Sequence, residues 1–116
     1  MSVKSTIWVA AHLRRARGMG HMAVLVKRGA EEAGAIYVRA ILPGGLARLF
    51  GPPPGANYKD TGEKRWACPL GFDPVAEAKT DEYIARQQKY DPDIWLLDIE
   101  DRTGMALIDI SSIDQS

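Results

Sequence analysis

Tyr90-Asp91-Pro92-Asp93-Ile94-Trp95-Leu96-Leu97-Asp98-Ile99-Glu100-Asp101 is the stretch that decides the fold. A residue before proline is held out of the α region, so Asp91-Pro92 ends any helix arriving at Tyr90. Past the turn, side chains alternate with period two. Trp95, Leu97 and Ile99 fall on one face of a strand, and Ile94 and Leu96 on the other. Two apolar faces predict a central strand covered on both sides. The second face then carries Asp98 and Glu100, so it passes from buried to wet, or into a site, within two positions.

Working backwards, Thr80 is expected to cap a helix with Asp81 and Glu82 in its first turn, favourable near the positive dipole end. Tyr83, Ile84, Gln87 and Tyr90 mark its inner side. Working forwards, the turn Asp101-Arg102-Thr103-Gly104 leads to a last strand, Met105 to Ile110, and the tail from 111 is expected to be loose. At the other end of the chain, Ser5 or Thr6 caps a helix from Ile7 to Arg17, stopped by Gly18 and Gly20. Val9, Leu13 and Ala16 form its buried stripe, with Trp8, His12 and Arg15 as a second stripe. Met22–Arg28, Ala35–Leu42 and Leu46–Phe50 read as three strands of an antiparallel meander, the last two joined by the tight turn Pro43-Gly44-Gly45. The Pro/Gly-rich segment 51–62 reads as a loop, a candidate lid or binding loop, and Arg65–Cys68 as a short fourth strand.

These elements predict an α+β fold in the order α-β-β-β-β-α-β-β: a mostly antiparallel sheet of five to six strands with two helices packed on one face. The core is expected to hold Val9, Leu13, Val24, Val26, Ile36, Val38, Leu49, Ile84, Trp95, Leu97, Ile99 and Ile108. The 116 residues, with hydrophobic content of 46% and charged content of 26%, suit a single domain, 1–116, able to bury a core without a disulfide or structural metal. The lone Cys68 points to a reducing compartment and a cytoplasmic address. No run approaches the ~20 apolar residues that span a bilayer, so no membrane is expected.

Net charge is zero but unevenly placed. Residues 1–50 carry eight Lys/Arg against two acids, and residues 51–116 carry seven against thirteen. Such a split serves charged partners on two faces, or pairs the halves with each other within the fold or across a homodimer.

Three constellations carry candidate chemistry. Asp91, Asp93, Asp98 and Glu100 are candidate ligands for a divalent metal, which hard carboxylates bind. The alternative is that they serve the turn and pair with Arg28, Arg39 or Arg48. Trp8, Arg14, Arg15, Arg28 and Arg39 are candidates for an anion- or partner-binding surface, including nucleic acid. Cys68 with His12 or His21 offers a thiol–imidazole dyad, set against a small buried hydrophobe. No phosphate loop, nucleophile elbow or zinc-protease motif occurs in the sequence.

Ser-Thr-Ile-Trp-Val-Ala-Ala at 5–11, Leu-Arg-Arg at 13–15, Arg-Gly-Ala-Glu-Glu-Ala-Gly-Ala-Ile at 28–36 and Tyr-Asp-Pro-Asp-Ile-Trp at 90–95 followed by Ile-Glu-Asp-Arg at 99–102 make the chain resemble a family of short bacterial proteins, a domain of unknown function. The resemblance implies a single-domain, cytoplasmic, bacterial protein and supplies no catalytic residues or cofactor. The function expected from the residues is a non-enzymatic binding or adaptor module whose partner is a protein or a second copy. Metal-dependent phosphodiester hydrolysis by the acidic strand, with Arg15 or Arg28 holding phosphate, is the alternative. Nucleic-acid binding by the basic half is a second.

Overall fold

The two-faced apolar strand forms as β5 (Trp95–Glu100) and occupies the interior of a five-stranded sheet. The computed structural model describes residues 3–55 and 64–114. Helix α1 (Ser5–Gly18) leads into strands β1 (Ala23–Lys27), β2 (Ile36–Leu42) and β3 (Leu46–Phe50). The two-residue β4 (Val75–Ala76) runs directly into α2 (Glu77–Tyr90), and a 3-10 turn spans Ile110–Ser112. The sheet order is β1-β5-β2-β3-β4, with β2 and β5 parallel and every other pair antiparallel. The fold is thus α+β with a mostly antiparallel five-stranded sheet and two helices.

The predicted β2–β3 hairpin is present, and Gly44 and Gly45 turn it at φ +79° and +73°, where side-chain-bearing residues are strained. The meander, however, does not extend to β1, because β5 inserts between β1 and β2. Burial explains the order: β5 has apolar residues for both faces, whereas β1 leaves one face wet, so the stabler arrangement puts β5 inside. The loop 28–35 crosses the start of β5 and is tied there. Ala30 N–H donates to Asp93 O at 3.0 Å, Trp95 N–H to Ala35 O at 2.8 Å, and the Trp95 indole to Ala30 O at 2.8 Å.

The helices lie on opposite faces of the sheet, not on one. Val9, Leu13 and Ala16 of α1 pack with Ile36, Val38, Ala40, Trp95, Leu97 and Ile99. Ile84 of α2 packs with Tyr37, Leu49, Ile94 and Leu96. The alternation of β5 and β2 feeds two separate cores, and each needs its own cover. α2 sits over β3 and β4, which leaves β1 uncovered on that face. Val24 and Val26, expected in the core, are accordingly 49% and 48% exposed.

Three further expectations change. α2 starts at Glu77, one turn before Thr80, because β4 delivers the chain straight into the helix. Thr80 is buried and donates back to Glu77 O at 2.6 Å, while Tyr90 points to solvent. Arg65–Cys68 contributes only isolated bridges, Gly51 with Ala67 and Trp66 with Ile113, so Val75–Ala76 is the fourth strand. Met105–Ile110 is not a strand: Ala106 and Leu107 take φ +51° and +63°, since the Asp101 carboxylate captures Ala106 N–H at 3.0 Å and turns the chain inward. The stretch 111–114 is docked, with Ile113 buried and Arg65 on Asp114 at 2.8 Å, so the loose tail is not seen there. Of the loop read at 51–62, residues 56–62 lie outside the described residues.

Candidate functional site

Asp98 and Arg39 face each other across the parallel pair, at the register Arg39↔Asp98. Arg39 is 4% exposed and reaches Asp98 with two N–H groups, both at 2.8 Å. Its third branch donates to Thr80 Oγ1 at 2.9 Å and to Asp81 at 2.5 Å. Burial alone would lower the guanidinium pKa, but the hydrogen bonds and charges of Asp98 and Asp81 outweigh it and raise it. This network joins the basic first half to the acidic second half inside the fold, and it consumes both Asp98 oxygens.

The other acids are placed apart from it. Asp91 accepts Asp93 N–H at 3.1 Å in the turn before β5, while Glu100 sits exposed at the strand's far end. The six residues of β5, roughly 16 Å of rise, separate the Asp91–Asp93 turn from Glu100. Among the described residues no group of three or more His, Cys, Asp or Glu is placed to hold a metal ion.

The basic and aromatic candidates are likewise not gathered on one surface. Trp8 stacks on His12 at 4.5 Å between ring centroids and leans on Trp66 at 5.3 Å. Arg15 donates to His12 Nδ1 at 2.9 Å, Arg14 is exposed on α1, and Arg28 lies 5.4 Å over the Trp95 ring. Arg39 is on the opposite face of the sheet, inside its own network.

His12 is buried. The Ala106 carbonyl can only accept, so Nε2 carries the proton and donates to it at 2.9 Å, and Nδ1 accepts from Arg15. Burial lowers the imidazole pKa to about 4; the nearby Arg15 charge adds to this, and the Ala106 bond opposes it. Both ring nitrogens are committed, and burial pushes the Cys68 thiol up, with Arg48 partly opposing. Neither group is prepared for nucleophilic chemistry.

Two of the concave surfaces among the described residues adjoin these networks. A cleft of about 600 Å³ opens at the carboxyl ends of β2 and β5, where Gly20–Met22, Ile41–Pro43 and Glu100–Arg102 meet. Glu100 N–H donates to Met22 O at 2.8 Å and Asp101 N–H to Ile41 O at 3.4 Å, which ties the three segments together. Asp101 is occupied by its own turn, accepting from Thr103 Oγ1 at 2.6 Å, Thr103 N–H at 3.1 Å and Ala106 N–H. Burial would raise its pKa, but these hydrogen bonds and nearby His21 lower it. On the α2 face, a groove of about 340 Å³ runs between β1 and α2, lined by Val26, Lys27, Arg39, Asp81, Ile84 and Leu96 among others. The sequence reading missed both: His21 and Arg102 sit in turns without periodicity, and Val24 and Val26 look like core residues until the position of α2 is known.

Internal ion pairing and several open concavities on a mostly antiparallel five-stranded sheet with two helices define a small α+β domain. Residues 3–109 match the family described as Protein of unknown function (DUF1491), and the chain belongs to that family. It is similar to the crystal structure of a DUF1491 family protein from Caulobacter crescentus CB15, at 34% identity and TM-score 0.79, covering 99% of this chain and 100% of that one. It is similar to the solution structure of protein Atu0922 from A. tumefaciens, at 34% identity and TM-score 0.77, covering 100% and 98%. An NMR structure of a DUF1491 family protein from C. crescentus CB15 matches at 35% identity and TM-score 0.74, covering 99% of each chain. No curated protein matches the chain. Among the described residues no helix is long and apolar enough to cross a membrane.

Proposed function

We propose that this chain is a non-enzymatic binding module that works through the uncovered α2 face of β1, and that its partner is a second copy of itself. The observation that carries this reading is the pair Val24 and Val26, half exposed on a sheet face that α2 leaves open. Two adjacent β-branched residues exposed beside a groove form a surface that gains from being covered. The groove bears Lys27 on its β1 side and Asp81, 62% exposed, on its α2 side. In the proposed dimer a two-fold axis over this face brings Lys27, which in the single chain donates to Pro92 O at 2.7 Å, toward the mate's Asp81, whose other partner is Arg39. Pairing through the free edge of β1 fits less well. The strand is bulged between Leu25 and Lys27 and ends in a lysine, both features that discourage strand addition. The same reading places the protein in the bacterial cytoplasm, where an unpaired Cys68 stays reduced.

Sedimentation velocity over a concentration series tests it. The wild-type chain is expected to shift from monomer to dimer with rising concentration, and Val24→Glu with Val26→Glu to remain monomeric while its circular dichroism is unchanged. A wild type that stays monomeric up to about millimolar concentration, where even a Kd worth roughly 4 kcal/mol is visible, refutes the second copy as partner.

A further inference from the structure

The cleft at the carboxyl ends of β2 and β5 is separate from the β1–α2 groove and has a different chemistry. It lies beyond the carboxyl ends of two adjacent parallel strands, and its volume of about 600 Å³ is in the range of small-molecule sites. Its wall is apolar: Met22, Ile41, Leu42 and Pro43. Its polar groups are Glu100 and Arg102, both exposed, with His21 and Asp101 beside them. Asp101 is consumed by its turn. Glu100 and Arg102, though of opposite sign and two residues apart, form no ion pair with each other or with any other described residue. One anchor of each sign therefore borders a hydrophobic wall. A ligand matching all three carries an ammonium, a carboxylate and an apolar side chain.

We infer that this cleft binds a small zwitterion of the apolar α-amino-acid type. The ammonium is held by the Glu100 carboxylate and the carboxylate by the Arg102 guanidinium, while the side chain lies against Met22, Ile41 and Leu42. The register fixes the arrangement: Glu100 is flanked by Ile41 on β2 and hydrogen-bonds through its backbone to Met22, so an ammonium on Glu100 has apolar contacts on both sides.

The test is a titration of the full chain with leucine, followed by amide proton–nitrogen spectra, with leucinamide and 4-methylpentanoate as probes lacking one charge each. Leucine is expected to give saturable shifts confined to Gly20–Met22, Ile41–Leu42 and Glu100–Arg102. Each single-charge probe is expected to bind more than about tenfold more weakly, the loss of one charged hydrogen bond. Arg102→Gln is expected to make leucine and leucinamide bind alike, and Glu100→Gln to make leucine and 4-methylpentanoate bind alike. Both residues are exposed, so both variants keep the wild-type spectrum elsewhere. No saturable shift with ~20 mM leucine, shifts outside these segments, or equal binding of all three probes to the wild type each overturns the inference. Because Val24→Glu with Val26→Glu leaves the cleft intact, leucine binding is expected to survive in that variant, whatever its association state.

Discussion

Replacing Asp98 with Asn removes one charge from the Arg39 network and keeps the side chain's shape. Arg39 is 4% exposed, so its guanidinium cannot recover solvation by turning outward. In the wild type its charge is met by the two 2.8 Å bonds to Asp98 and by Asp81 at 2.5 Å. Breaking a buried ion pair by removing one partner costs about 3–5 kcal/mol, mostly because the remaining charge is stranded. Asp98 retains 22% exposure and Asp81 remains, so the expected cost falls at the lower end, about 3 kcal/mol. For a domain of this size that is a drop in Tm of roughly 10 °C or more. Asp81→Asn breaks a contact to a carboxylate that is 62% exposed, and an exposed pair is worth about 0–1 kcal/mol. Urea unfolding of both variants, followed by circular dichroism, reads the difference directly. Equal costs for the two substitutions, or a cost below about 1 kcal/mol for Asp98→Asn, would refute the view that the buried face of this network holds β2 to β5.

Stability should also fall with acid through His12. Its imidazole is held near 4 in the folded chain against an ordinary 6.5, so the unfolded chain takes up the proton first. The contribution is complete above about pH 6.5 and is lost as pH falls to about 4, amounting to roughly 3 kcal/mol. Chemical unfolding at pH 7 and pH 4.5 measures it, and His12→Gln should flatten that part of the profile. Gly29→Ala should cost about 2–3 kcal/mol, because a methyl group there meets the Asp93 carbonyl and the Trp95 ring. Gly18→Ala, with nothing within 4 Å of the new methyl, should instead stabilise by about 0.5–1 kcal/mol, and thermal melts of the two would separate the cases. Trp95→Ala should cost about 3–5 kcal/mol, since the ring is buried and its indole holds Ala30, and the loss should appear in the denaturant midpoint.

How far the sequence carried can be read from β5 and β1. The double apolar alternation of 94–99 was enough to place β5 in the interior, and the Asp91-Pro92 stop was enough to end α2 nearby. What alternation could not say was which strand would lie beside β5, since register and neighbour are set by long-range packing. Strand β1 shows the same limit: Val24 and Val26 have core residue types, and only the lateral position of α2 leaves them wet. The 105–110 stretch failed for a local reason, because the Asp101 carboxylate bends a strand-like sequence into the left-handed region at Ala106 and Leu107. For the sites, the pairing of Asp98 with a strand arginine was among the readings drawn from composition and spacing. The cleft was not, because its walls come from three separate segments, 20–22, 41–43 and 100–102, that no motif joins.

The central pairing of β2 with β5 also sets when the molecule can fold. Arg39 and Asp98 stand 59 residues apart, and every contact between these two strands spans a comparable stretch. Local pieces such as α1 and the β2–β3 hairpin have their partners within reach early, but β1, though it touches α1, has no strand partner until β5 arrives. During synthesis the ribosome must therefore release the chain through β5 before either core can close, and β1 and β2 wait with their inner edges bare. Refolding should accordingly be slow for a chain of this length, and a nascent chain stalled before residue 95 is the form most exposed to chaperones and to misassembly.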